Sequence, residues 1–461
     1  MAIAQAPTRP TPFARPATVH AAAERPVPAR PVARDTGIDL VRALCVVAVI
    51  ALHGLQVGVT VDRSGPVLEY ATVGAAWYPP LTWLLQVMPI FFVIGGFAGM
   101  LAYRRTREKG GTAVDFVVGR VHRLLVPAVL TIATAGIALA FLLSIGVPPD
   151  LVQQTGIRYG EPLWFLGVFL ASQALLPALL VAHEKAPRAT LIGLVTSAVL
   201  VDALRAVTGI DAIGYLNIAF VWLALQQAGF FLAEGRIDAL SRRTRALGGL
   251  AAGMLLAGTV TAGVFSPDLI ANLNPPTTAL LLVGAAQTAV LSLLRDRITQ
   301  LSIRPRVAAF TAFVTARTMT IYLWNLTALL TLAAISAFLA MNGALVLPEP
   351  SSLGWWLTRP VWLALAFLLT AAVGWALGGS ERLRLPRPTT SARRAAQAVL
   401  LGLTGVLVLL LAGTTVLHVV IALAAILAAL ARIRAPRRPT PTSPVPVAQM
   451  DTVRTPTGHA E

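Results

Sequence analysis

The chain has 461 residues, 56% of them hydrophobic and only 12% charged, against about 25% charged in an ordinary soluble domain. A soluble enzyme is excluded, and at roughly 20 apolar residues per bilayer crossing a dozen crossings fit with chain to spare. The net charge of +17, from 37 Lys+Arg against 20 Asp+Glu, belongs in so apolar a chain to cytoplasmic loops and anionic lipid, not to nucleic acid.

Residues 1–36 are rich in Pro, Ala and Arg and lack the apolar core of a secretory signal. With the Pro- and Thr-rich residues 435–461 they read as disordered, basic cytoplasmic tails. Between them the expected fold is all-α, a polytopic helical membrane protein with spans at about 38–60, 83–103, 122–146, 162–182, 190–210, 212–233, 246–266, 277–294, 311–341, 355–378, 396–412 and 415–432. The last two come from one apolar stretch whose ~52 Å helical length exceeds a single crossing of ~30 Å, so it divides near Gly413. This gives a membrane domain over 37–380 of about ten spans and an additional transmembrane hairpin over 381–434. Arginines crowd alternate loops, for example Arg104, Arg105, Arg107, Arg120 and Arg123, then Arg236, Arg242, Arg243 and Arg245. By the positive-inside rule these loops and both termini face the cytoplasm.

An ionisable residue within a span is costly and marks a functional candidate. The first span reads IDLVRALCVVAVIALHGLQVGV. Arg42 and His53 lie eleven residues apart, three helical turns plus about 20°, so they share a face some 16.5 Å apart along the axis. Asp39 is spaced to pair with Arg42. His53 is either a packing histidine bonded to a neighbouring carbonyl or a neutral base inside the membrane. In the second and third spans, Phe91, Phe92, Gly95, Gly96, Phe97 and Gly99 form a small-residue patch that lets helices approach or leaves room for a ligand. Arg120 and Arg123 share one face at the cytoplasmic start of the third span. They act there as an inside anchor or as a clamp for phosphates, which guanidinium forks suit.

These features resemble the integral-membrane acyltransferase type 3 family, bacterial enzymes that acylate sugars and other extracytoplasmic acceptors. The likeness rests on Arg42 and His53 in the first span, on FFVIGGF at Phe91 to Phe97, which looks like the family's FFxxSGF, and on Arg120-x-x-Arg123. PLWFLGVFL, with Trp164, and RTMTIYLWNLTALL, with Tyr322 and Asn325, look like two further family stretches. Two positions depart from the pattern: Gly95 stands where the family usually has Ser, and Asn325 where many members have His.

The resemblance implies a cell-membrane enzyme. Acyl-coenzyme A binds from the cytoplasm as co-substrate, with no tightly bound cofactor, and His53 takes part in transfer to a hydroxyl of an extracytoplasmic, carbohydrate-containing acceptor. The acyl group is expected to be acetyl. Phosphates held by Arg42, Arg120 and Arg123 would set the thioester near His53, since an extended pantetheine arm reaches about 14 Å. A passage joining the arginines to His53 is therefore expected. His53 serves as general base or as transient acyl carrier. Asp39, Phe92, Gly95, Gly96, Trp164, Tyr322 and Asn325 are supporting residues.

Elsewhere the expectations are plainer. Arg63, Asp150, Glu161, Asp202, Asp211 and Arg359 read as solvated outer-loop charges in preference to acceptor contacts, and Trp355, Trp356 and Trp362 as an interfacial belt in preference to the floor of a sugar site beside Arg359. His122, His183 and His418 read as structural, and the single cysteine, Cys45, as a packing residue. No metal-ligand spacing, phosphate loop or dinucleotide fingerprint is present. The competing class is a carrier or flippase whose buried charges line a route without covalent chemistry. It predicts an internal repeat with interrupted helices, and none is evident between the two halves.

Overall fold

The structure is a computed structural model that describes residues 35–63, 65–385 and 387–435. The expected tails lie, but for their innermost residues, outside the described residues. In hydrocarbon a backbone must satisfy its own hydrogen bonds, so apolar runs close into helices. Ten helices among the described residues are long and apolar enough to cross a membrane, and the chain is a multi-pass membrane protein.

In chain order, α1 (Thr36–Gln56) is followed by the short α2 (Tyr78–Leu85), which leads into α3 (Met88–Glu108), and then by α4 (Ala113–Ser144). Next, α5 (Pro149–Gly160) leads into α6 (Leu163–Lys185), followed by α7 (Pro187–Thr208) and α8 (Asn217–Ala233). After them come α9 (Arg242–Thr261), α10 (Ala279–Ser302), α11 (Pro305–Thr315), α12 (Thr318–Met341) and α13 (Leu353–Leu377). A C-terminal hairpin, α14 (Ala392–Leu411) and α15 (Val416–Arg432), completes the array. Of the twelve expected spans, those at 246–266 and 415–432 are α9 and α15, which are not among the ten. Glycine and threonine dilute α9, and α15 has only 17 residues.

The helix starts follow from local chemistry. Thr112 and Asp115 form a reciprocal capping box at α4, hydroxyls of Ser241, Ser352, Ser391 and Thr415 cap α9, α13, α14 and α15, and proline opens α3, α5, α7 and α11.

Three elements depart from the sequence expectation. The first span ends at Gln56, and the chain turns into an antiparallel hairpin of β1 (Val57–Asp62) and β2 (Gly65–Tyr70), with Val57 opposite Tyr70. The β-branched alternation of VGVTVD favours a strand once the chain leaves hydrocarbon. The expected span 311–341 breaks between α11 and α12, where Arg317 leaves helical geometry at φ −133°. Its guanidinium folds back over the Phe313 ring at 4.4 Å and donates to the Phe313 carbonyl. The third, α5, falls in a stretch expected to be loop.

Glycine sets the tightest packing in the core. A Cβ on Gly96 would lie 2.0 Å from the Gln226 carbonyl oxygen, and one on Gly229 2.0 Å from that of Val93, so α3 and α8 meet backbone to backbone. Around this contact Phe92 stacks on Trp222 at 4.4 Å, Phe165 stacks on Phe169, and Phe165 meets Tyr322 at 4.7 Å. Ion pairs of Arg104 with Glu234 at 2.8 Å and of Arg107 with Glu184 at 3.2 Å, and a hydrogen bond between His183 and Glu234 at 3.2 Å, tie the ends of α3, α6 and α8 together.

Candidate active site

His53 sits in the last turn of α1 and lines a cavity of about 930 Å³ with Gln56, Tyr70, Glu161, Trp164, Trp222 and Tyr322. Its Nδ1 lies 2.8 Å from the Asn325 Oδ1. The Asn325 amide nitrogen donates to the Tyr322 carbonyl, which can only accept, so the orientation of the amide is set and Oδ1 is the atom turned to the imidazole. His53 Nδ1 is then the donor, and Nε2 of the neutral ring is left as its basic nitrogen. Tyr322 in turn donates to the Pro162 carbonyl at 3.1 Å, at the junction of α5 and α6. The YLWN stretch thus carries both the partner of His53 and the tie that fixes that partner's helix.

The arginines gather at the other end of α1. Arg42 pairs with Asp39 at 2.9 Å, as its spacing predicts. Arg120, half-buried at the start of α4, lies within electrostatic range of Arg42 and Arg123 and stacks over Phe116 at 4.9 Å. Among the described residues neither Arg120 nor Arg123 has a hydrogen-bond or ion-pair partner. Three guanidinium groups held together, with the Glu381 carboxyl within electrostatic range of Arg123, form a cluster of a kind suited to phosphate oxygens.

The cavity that His53 lines does not extend to the arginines. Arg42, Arg120 and Arg123 do not line the His53 cavity. On the α1 face that joins Arg42 to His53 stand Val46 and Val49, at i+4 and i+7. Val49 lines the cavity, but Val46 is 2% exposed and packed into the core.

Other expected residues divide by role. Trp164 and Tyr322 line the cavity. Phe92, Gly95 and Gly96 do not: Gly96 makes the α3–α8 contact, and a Cβ on Gly95 would press on Phe169 at 3.2 Å. The Gly95 position is therefore one of packing. His183 is buried between Glu234 and Gln227, and His418 bonds the Gly413 carbonyl at 2.9 Å.

Three outer charges, Arg359, Asp202 and Glu161, are not solvated as expected. Arg359, 7% exposed, lies between Trp355 and Trp362, its guanidinium 3.8 and 4.6 Å from their rings. It donates to the carbonyls of Gly54 and Val57, both at 3.3 Å. A cation on the last carbonyls of α1 complements the helix dipole and fixes the turn that carries His53. Trp355 is likewise buried, so only Trp356 keeps a belt-like exposure. The spacing Trp355, Arg359, Trp362, at i, i+4 and i+7, is the sequence signal that could have revealed this sandwich. Asp202 accepts from Asn217 and from the Thr278 backbone, so it ties α7 to α8 and α10.

Sequence reasoning missed the cavity mouth. The Tyr70 hydroxyl donates to Glu161, and the buried Arg158 lies 3.2 Å over the Tyr70 ring and 3.9 Å from Glu161. Burial, and then the bond to Glu161, push the Tyr70 phenol up, so it remains a donor at physiological pH.

No curated protein and no solved structure matches the chain. The family model for the type 3 acyltransferase domain does, over residues 35–379, about three-quarters of the sequence and the whole of α1 to α13. The chain belongs to this acyltransferase family.

Proposed function

We propose that the protein transfers an acyl group from acyl-coenzyme A, bound at the cytoplasmic end, to a hydroxyl of a carbohydrate-containing acceptor on the other side of a bacterial cell membrane. The observation that carries this reading is His53 on the wall of a roughly 930 Å³ cavity with Nδ1 engaged by Asn325. Nε2 takes the proton of the acceptor hydroxyl as the oxygen attacks the thioester carbonyl. The coenzyme thiolate leaves, and the imidazolium returns the proton to it. The arginine cluster supports binding of the coenzyme phosphates, and Glu161, Tyr70 and Gln56 supply polar groups for an acceptor entering opposite. Donor binding has to part the packing around Val46, so the thioester reaches His53 only when the donor is seated.

The test is His53→Ala, with mass spectrometry of extracytoplasmic glycans and secreted metabolites beside wild type. Loss of a general base lowers transfer about 10²- to 10⁴-fold, so one acyl mass disappears while the underlying molecule is still exported. If the molecule itself is missing from outside while acylation persists, the protein is a carrier and the proposal fails.

A further inference from the structure

The family match ends at residue 379, yet α14 and the turn that joins it to α15, both beyond that limit, form one side of the His53 cavity. Leu403, Val406, Leu407 and Leu410, spaced along one face of α14, line it together with Leu411 and Gly413. The hairpin is seated, not loosely appended. Glycines of the matched region give it room: Gly136 against Val419, Gly156 against the Thr414 carbonyl, and Gly167 against Val406. In each case a Cβ would come within 2.2–3.2 Å of the hairpin.

This wall is hydrocarbon throughout, whereas the polar groups of the cavity, among them His53, Gln56, Tyr70, Glu161, Asn274 and Tyr322, come from elements other than the hairpin. The cavity also has a side mouth. Of its lining residues, Ile157 is 52% exposed, Leu407 49% and Leu411 83%, and on a membrane-spanning surface such side chains meet lipid. From Leu403 to Leu411 the wall runs about 12 Å at 1.5 Å per residue, the reach of roughly ten carbons in an extended chain that advances ~1.25 Å per bond. A small polar acceptor and an acetyl group would leave this surface uncovered.

We propose that the C-terminal hairpin makes a binding site for an alkyl chain, with the reacting end of the substrate at His53 and the tail along α14 toward the side mouth. The chain belongs either to the donor, as an acyl group longer than acetyl, or to the acceptor, as an apolar aglycone. The inference rests on the acyl-transfer reading only for the position of the reacting end.

The test uses the full-length protein in lipid vesicles with octanoyl- and acetyl-coenzyme A as donors and hexyl and methyl β-glucoside as acceptors. Each ordered methylene contributes about fourfold, so the long member of one pair is preferred tenfold or more, and which pair shows it identifies the source of the chain. Leu410→Trp, which fills the wall, lowers that long-to-short ratio at least tenfold, and Leu410→Ala lowers it less. In parallel, diazirine-bearing octanoyl-coenzyme A and hexyl glucoside are photo-cross-linked and mapped. Labelling of residues 403–411 that the unlabelled long-chain compound displaces supports the site. An unchanged ratio in both variants overturns the proposal, as does labelling that is absent from α14 or displaced by bilayer lipid alone. If no pair is turned over but displaceable labelling is found, the acyl-transfer reading falls and the alkyl site stands.

Discussion

Asn325 is one of the two positions at which the sequence departs from the pattern it resembles, and it is also the residue that bonds His53. From the sequence it reads as the loss of a titratable group, because a single chain does not reveal that α1 and α12 bring these two side chains to 2.8 Å. What the position requires is an acceptor for Nδ1–H, and an amide oxygen supplies one as an imidazole nitrogen does. Asn325→Leu removes that acceptor from a buried ring, a loss of about 1–3 kcal/mol. Turnover is expected to fall roughly 10- to 100-fold with an altered pH–rate profile, while Asn325→His retains most of it. Equal loss in both variants, measured as kcat on folded protein, would mean that residue 325 acts only through packing. Arg359 teaches the converse. Its charge and its place in an outer stretch suggested solvent, and only the flanking tryptophans at helical spacing hinted that the guanidinium is enclosed.

Among the elements, the helices were legible because their apolar runs are long and continuous, and each expected span has a helix beneath it. The breaks were not. The transition at Ala316–Arg317 leaves the hydropathy uninterrupted, so 311–341 looks like one rod, and the strands β1 and β2 are too short to stand out beside a span that ends at Gln56. The small-residue patch of α3 was legible as a feature but ambiguous in meaning, and the structure assigns it to packing. Gly96→Ala puts a methyl 2.0 Å from the Gln226 carbonyl, and the two helices have to separate. Overpacking of this kind costs about 1–3 kcal/mol. The expected result is a lower melting temperature in detergent, with Gly248→Ala, at a position facing open space, as the control that leaves it unchanged or raised. A Gly96→Ala protein as stable as wild type would show that the α3–α8 contact yields without cost.

Over the whole molecule, composition announced a membrane protein and the distribution of arginine marked one end of it, since both are properties of the chain as a sum. Glu234 organises part of that end by accepting from Arg104 and bonding His183 and Arg236. Burial alone would raise its carboxyl, but these partners outweigh burial and hold it below the ordinary value. A carboxyl depressed in the folded state stabilises the protein above its unfolded value of about 4.3, and that contribution is lost as pH falls through the lower folded value. Melting temperature should therefore drop on acidification from about pH 5 to pH 3, and Glu234→Gln should be less stable at pH 6 with a shallower drop. Parallel curves for the two proteins would assign the acid sensitivity elsewhere.

The closed stretch of α1 at Val46 has a bearing on the cell as well as on the reaction. An enzyme whose chamber ran open from one side to the other would be a leak for protons, with an imidazole halfway along to relay them. With Val46 packed into the core between Arg42 and His53, that face of α1 gives water no polar side chain to follow from one to the other. Under the proposed reaction, the donor's own slender arm would take the place of that packing wherever it parts, and so keep the way filled during turnover.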